Sequence, residues 1–190
     1  MLGFDVDKML FTIPKGEHSK ENIIKVLNAH PEVQFVSLVG IDIGGHDTDE
    51  KIPVELFIKN MDKLLKHGVQ TDGSSVALPH IAVLNNAKVD IIPDLNCNWY
   101  VDYNFRNIDR KLELPIGTLR IPSYLLHNEN FECGSRVMLR DALMHFKSEL
   151  KKALIEHPYV FEYIDGADSM DDIEEFIITS ATELEFWVKT

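Results

Sequence analysis

Two glutamates near the end of the sequence have the spacing that most directly suggests chemistry. Glu183 and Glu185 alternate with Leu184 and Phe186, a pattern typical of a strand that turns one face into a core. Side chains two apart on a strand project from the same face, about 6–7 Å apart. Two carboxylates that close in a partly desolvated cleft repel each other, and a bound divalent cation compensates them. The spacing therefore predicts that Glu183 and Glu185 bind metal, with a solvated strand face as the alternative.

The composition is that of an ordinary globular protein. The 190 residues are 45% hydrophobic and 26% charged, which suits one sizeable domain, or one complete domain with part of a second. The net charge of −12 argues against binding to a phosphate backbone, so we expect no nucleic-acid partner. Cys97 and Cys133 match no metal-ligand spacing, which favours free thiols in a reducing compartment. No apolar run approaches the ~20 residues of a membrane span, so we expect a cytoplasmic protein.

Periodicity and turn signals predict the elements of an α+β fold. Helices are predicted at residues 19–28 with Ser19 as N-cap, at residues 53–67 between Pro53 and Gly68, and at residues 136–156. Strands are predicted at residues 33–40, 51–52, 88–92, 118–126, 159–164 and 173–188, with polar connections at residues 72–75 and 104–115. This order predicts a small sheet crossed by one helix, followed by the opening of a second unit.

Several short segments, taken together, carry a family pattern. They are the strand at residues 35–39, Ile-Pro at 52–53, Asp-Gly-Ser-Ser at 72–75, Pro-Asp at 93–94 and Glu-Leu-Glu-Phe at 183–186. An Asp-Gly-Ser-Ser turn alone is common, but the motifs are specific in this order and at this spacing. Residues 33–190 thus resemble the amino-terminal part of the glutamine synthetases, the ligases that make glutamine from glutamate and ammonia.

The resemblance implies a fold and an activity. It implies a β-grasp-like domain at residues 33–128, after an N-terminal extension with a short helix at residues 1–32, and the incomplete start of a catalytic domain at residues 129–190. Members of this family transfer the γ-phosphoryl group of ATP to glutamate, and ammonia then displaces phosphate from γ-glutamyl phosphate. Mg²⁺ or Mn²⁺ assists the phosphoryl transfer. Their subunits form homo-oligomeric rings, in which each active site lies between neighbours.

Three residues match functional positions of the family. Glu183 and Glu185 match two strand glutamates that ligate different metal ions, and Asp72 matches a loop aspartate that binds ammonium at the subunit interface. A carboxylate there attracts the cation and can accept its proton, although Asp72 could instead only cap its own turn. The family's tryptophan shortly after this loop has no counterpart in residues 76–80, which leaves the details of ammonium binding open.

The remaining metal ligands, the nucleotide pocket and the glutamate-binding arginine of the family would lie beyond Thr190. We therefore expect that this piece alone is inactive and binds neither metal nor ATP. Two alternatives stay open. One is a related ligase that joins glutamate to larger amines, and the other is a non-catalytic β-grasp module used for assembly.

Overall fold

The computed structural model of the chain describes residues 5–73, 76–77, 88–127 and 134–180. It divides the chain into two compact units, Met1–Leu139 and Arg140–Thr190. The strands are β1 (Thr12–Ile13), β2 (Val33–Ile41), β3 (Asp47–Pro53), β4 (Val69–Asp72), β5 (Lys88–Pro93), β6 (Trp99–Ile108) and β7 (Pro115–His127). The helices are α1 (Lys20–Ala29), α2 (Val54–His67) and α3 (Ser135–Glu156), with short 3-10 helices at Val6–Lys8, Pro158–Tyr163 and Met170–Asp172.

A parallel pair of strands, β2 and β7, forms the centre of the seven-stranded sheet in the first unit. β3 folds back antiparallel on β2. On its other edge β7 pairs antiparallel with β6 along its first half and with β5 along its second half. β4 then pairs with β5, and β1 with β6. The predicted α+β class is confirmed, and the helix that links the β2–β3 hairpin to the rest of the sheet gives it the arrangement of a β-grasp.

Local signals place the first two helices close to where the sequence predicts them. The hydroxyl oxygen of Ser19 accepts a hydrogen bond from the backbone N–H of Asn22 at 3.2 Å, so α1 begins with the predicted cap. Pro53 is the cap residue of α2 and its first helical residue is Val54. The helix ends at Gly68, whose N–H donates to the carbonyl of Leu64 at 2.9 Å.

The two helices bury their apolar stripes in one core. Ile23 and Leu27 of α1, with Phe57 and Met61 of α2, are each at most 2% exposed. They join one cluster with the inward residues of the central strands, among them Val36, Leu38, Leu119 and Ile121. The N-terminal segment, predicted as an extension, thus contributes both β1 and α1 to the sheet and core of the first unit.

Three strands of the sheet, β1, β4 and β6, have no counterpart among the predicted strands, and β6 is the longest of them. Residues 104–115 were interpreted as a polar connection, but β6 runs through Ile108. Along β6 the side chains of Trp99, Val101 and Tyr103 are buried and those between them are exposed, which is the period of a half-buried strand. The many polar residues of the outer face concealed this alternation.

The second unit corrects two predicted strands. Where a strand is predicted at residues 159–164, the structure has a 3-10 helix at Pro158–Tyr163, because Pro158 fixes a helical φ at its first turn. The N–H groups of Val160 and Ile164 donate to carbonyls three residues earlier, at 3.1 and 3.2 Å, so the backbone is satisfied locally. Residues 173–180 have no regular structure, and the rest of the predicted strand at 173–188 lies outside the described residues. Leu154, Phe161 and Ala167 form the core of this unit.

We predict that Gly68→Ala strongly destabilises the first unit. Gly68 has a φ of 62°, and an added Cβ would lie 1.9 Å from the backbone carbonyl oxygen of Ile91. Because the strand cannot yield as a side chain would, we expect a loss of at least about 3 kcal/mol in the free energy of unfolding. Urea denaturation followed by the fluorescence of buried Trp99 measures it.

Gly16→Ala is the matched control, because Gly16 also has a positive φ, 91°, but nothing lies within 4 Å of the added Cβ. It should cost only the backbone strain, about 1–2 kcal/mol. Equal losses in the two variants would contradict the close approach of Gly68 to β5.

Candidate functional site

Asp72 is the last residue of β4, which pairs with β5 alone among the described strands. Its Cα lies opposite that of Lys88 in the antiparallel pairing with β5, and its side chain is exposed. β4 follows directly on Gly68, which ends α2, so the helix and the turn together set where the strand begins. The strand hydrogen bonds hold the chain up to Asp72, and the chain leaves the sheet at that residue.

The chain after Asp72 is held again within a few residues. Gly73 is buried, and its carbonyl accepts a hydrogen bond from the N–H of Val76 at 3.3 Å. The side chain of Val76 is buried in the main core. Ala77 exchanges hydrogen bonds with the β2–β3 turn, since its carbonyl accepts from the N–H of Ile43 at 3.1 Å. Asp72 therefore lies between two anchored segments.

The second anchor is completed by a buried carboxylate, Asp42, whose side chain is 4% exposed. Its Oδ1 accepts hydrogen bonds from the N–H groups of Gly44 and His46, at 2.8 and 2.9 Å. Its Oδ2 accepts one from the N–H of Ala77 at 2.9 Å. One oxygen thus organises the turn after β2, and the other joins that turn to the segment that follows Asp72.

The environment of Asp42 favours its ionised form. Burial opposes ionisation, but the N–H donors of Ala77, His46 and Gly44, together with the His46 ring, outweigh it, so the pKa of the Asp42 carboxyl lies below its ordinary value. The His46 Nδ1 is 3.5 Å from Asp42 Oδ1, and this ring is largely exposed. At neutral pH Asp42 is therefore a carboxylate that accepts only, as its donors require.

A second buried carboxylate, Asp94, belongs to the Pro-Asp motif that ends β5. Its Oδ1 accepts from the N–H of Asn96 at 2.9 Å, and its Oδ2 forms an ion pair with Arg136 in the first turn of α3. The Arg136 guanidinium lies 5.3 Å from the centre of the Tyr124 ring. Burial raises the pKa of Asp94, but these donors reverse the effect and leave it below its ordinary value. Next to Arg136, the hydroxyl of Ser135 donates to the carbonyl of Ile41 at 2.6 Å.

The structure places one of the three predicted site residues, and the other two lie outside its description. Asp72 is exposed at the end of β4, whereas Glu183 and Glu185 lie in residues 181–190, beyond the described part of the chain. Within the described residues no group of three or more His, Cys, Asp or Glu side chains could hold a metal ion. Any metal role for the two glutamates therefore stays a prediction.

Sequence reasoning missed Asp42 and Arg136. Asp42 precedes the Gly44-Gly45 turn, and an aspartate that starts such a turn commonly accepts hydrogen bonds from its backbone. The bonds of Asp42 within the turn could therefore have been predicted from the sequence. Its bond to Ala77 joins positions 35 residues apart, and the pair of Arg136 and Asp94 joins positions 42 apart. No local pattern indicates either contact.

No protein-family model matches the chain, and no curated protein is significantly similar to it. Among the described helices, none is both long and apolar enough to cross a membrane.

We predict that Asp94→Asn destabilises the first unit at neutral pH and that the difference from wild type narrows in acid. The variant leaves the partly exposed Arg136 without its counter-charge, which we expect to cost about 2 kcal/mol at pH 7. The pKa of Asp94 is lower in the folded than in the unfolded state, so its stabilisation is present above the unfolded pKa. It is lost as the pH falls from about 4 through the folded pKa.

Urea denaturation at pH 7, 5 and 3, followed through Trp99, tests this prediction; the Trp99 Nε1–H donates to the Asp94 carbonyl at 3.1 Å. Asp102→Asn is the control, since Asp102 is exposed and 3.9 Å from its nearest basic atom, and it should change stability by less than about 0.5 kcal/mol. A difference for Asp94→Asn that is independent of pH would contradict a native carboxylate at this position.

Proposed function

We propose that the chain is the N-terminal portion of a cytoplasmic, ATP-dependent glutamate–ammonia ligase of the glutamine synthetase type. The observation that supports this best is the geometry at Asp72, an exposed carboxylate at the end of β4, anchored on both sides. The ordered motifs described above carry the resemblance to the family, and the topology of the sheet in the first unit is compatible with it.

In this proposal Asp72 captures ammonium and accepts its proton. Ammonium has no lone pair, so it must lose a proton before its nitrogen can attack the acyl carbon of γ-glutamyl phosphate. A carboxylate within hydrogen-bond reach attracts the cation and then accepts that proton. Ammonia attacks, the bond from carbon to the phosphate oxygen breaks, and phosphate leaves with the electron pair.

The two glutamates supply part of a metal site. Carboxylate oxygens fit Mg²⁺ or Mn²⁺ chemically, but Mg²⁺ demands about six oxygen ligands, and Glu183 and Glu185 are two residues. The other ligands, and the sites for ATP and glutamate, would come from further chain or from a neighbouring subunit. The bound metal supplies charge stabilisation for the phosphoryl group.

We also propose a homo-oligomeric ring with the Asp72 loop at the subunit interface. An exposed carboxylate at the end of a strand can complete a cleft only if another surface faces it. A neighbouring copy would provide that surface, as the resemblance implies.

The proposal is tested with the longest reading frame that contains these 190 residues. We expect glutamine and ADP to form from glutamate, ammonium and Mg²⁺–ATP. Asp72→Asn should raise the KM for ammonium by about tenfold or more, because the cation loses its counter-charge, whereas the KM for glutamate should stay within about twofold. Asp72→Glu, which keeps the charge, is the matched control and should recover part of the loss.

Substrate competition distinguishes a glutamate–ammonia ligase from the related ligase that joins glutamate to larger amines. The absence of a tryptophan in residues 76–80 is the one observation that favours a larger amine. Polyamine ligation far faster than glutamine formation would replace ammonia as the substrate in this proposal. No ATP hydrolysis with any amine, in a preparation that is folded by circular dichroism, would leave only the assembly module.

We predict that the 190-residue chain alone binds Mg²⁺–ATP weakly. Two carboxylates do not complete a metal site, so isothermal titration calorimetry should give no Kd below about 1 mM. A sub-millimolar Kd would show that the nucleotide site lies within these residues and would overturn this part of the proposal.

A further inference from the structure

We propose that Asp42 is a positioning residue, which holds the segment after Asp72 and thereby sets the affinity of the site for ammonium. This inference rests on the proposed function. Asp42 itself touches no reacting atom, because its oxygens are already engaged by Gly44, His46 and Ala77.

Two hydrogen bonds tie the β2–β3 turn to the segment that follows Asp72. The Ala77 N–H donates to Asp42 Oδ2 at 2.9 Å, and the Ile43 N–H donates to the Ala77 carbonyl at 3.1 Å. Both hydrogen bonds involve Ala77, which lies five residues after Asp72. Val76 also packs in the core. Apolar packing restrains the orientation of the backbone less than hydrogen bonds do, because hydrogen bonds depend on both distance and angle.

The chemistry makes this tie matter for Asp72. The charge-assisted hydrogen bond from ammonium to a carboxylate weakens with small errors of distance and direction, so a displaced Asp72 would bind the cation less tightly. β4 ends at Asp72, and the described contacts that hold the chain after it are the burial of Gly73 and Val76 and the hydrogen bonds of Ala77. The carboxylate at Asp42 contributes to these contacts at neutral pH because it accepts from both segments at once.

Asp42→Asn separates the two tasks of the side chain. The amide oxygen of asparagine can still accept from Gly44 and His46, as Oδ1 does now. Its NH₂ group then faces the Ala77 N–H, and two donors repel. We therefore expect the turn to survive and the bond to Ala77 to be lost.

Asp109→Asn is a closely matched control. Asp109 Oδ1 accepts from the N–H groups of Lys111 and Leu112 at 2.8 and 3.0 Å, and its Oδ2 accepts from the Gln34 side chain at 2.9 Å. It thus also organises a turn with one oxygen and makes a distant contact with the other. Gln34 lies near the start of β2 and Asp42 just after its end, so the control variant perturbs the opposite end of the same strand.

A second variant breaks the other half of the tie and leaves Asp42 intact. Ile43 is the second residue of the turn closed by the bond from the Gly45 N–H to the Asp42 carbonyl at 3.1 Å, a position that favours proline. Ile43→Pro removes the N–H that donates to Ala77. If Asp42→Asn fails to fold, this variant still tests the inference.

The experiment has two readouts. In the 190-residue chain, amide hydrogen exchange by NMR should show faster exchange at Ala77 in Asp42→Asn, with Trp99 and the β2–β7 amides unchanged. In the longer ligase, Asp42→Asn and Ile43→Pro should raise the KM for ammonium about tenfold, with kcat at saturating ammonium and the KM for ATP within about twofold of wild type. Asp109→Asn should change none of these values.

The outcomes separate this inference from the function on which it rests. If the wild-type ligase makes no glutamine, the proposed function fails and takes the inference with it. If wild type is active but the KM for ammonium is unchanged in both tie variants, the inference alone is overturned. It is also overturned if Ala77 exchange does not rise, or if Asp109→Asn weakens ammonium binding equally.

Discussion

The parallel pairing of β2 with β7 is the constraint on which the rest of the first unit depends. It aligns Val36 with Leu119 and Leu38 with Ile121, all four of which are fully buried. Because the strands are parallel, their carboxyl ends lie at the same end of the sheet. β5 runs antiparallel to β7 and β4 antiparallel to β5, so the carboxyl end of β4 lies there as well. Asp72, Asp42 and the start of α3 are gathered there by strand direction.

Local features of the fold were predictable, and long-range ones were not. Ser19 and Gly68 are residue types that favour helix ends, so the start of α1 and the end of α2 could be predicted from them. The segment at residues 159–164 is rich in residues that favour strands, yet it is a 3-10 helix after Pro158. Strand propensity acts only when a partner is present, and sequence alone does not provide that information.

The candidate site was likewise predictable in its local features and not in its long-range contacts. Asp72 could be identified from residue type and motif, because its proposed chemistry belongs to the side chain itself. Its position depends on contacts that no spacing reveals, such as the bond from Ala77 to Asp42. Asp42 and Asp94 are held in the same way: one oxygen of each accepts from backbone N–H groups at a turn, and the other binds a distant segment. A buried carboxylate without its hydrogen-bond partners is strongly destabilising, so these residues favour the one fold in which all their partners are present.

The way β7 is shared has a consequence for how the protein is made. β7 pairs with β2, β5 and β6, all of which leave the ribosome before it does. Until residues 115–127 emerge, the three earlier strands lack their common partner, and the first hairpin keeps an open edge. Contacts this distant in sequence form slowly, and exposed edges invite association between nascent chains. The acidic β3, with Asp47, Asp49 and Glu50, gives the waiting hairpin a charge that discourages such association.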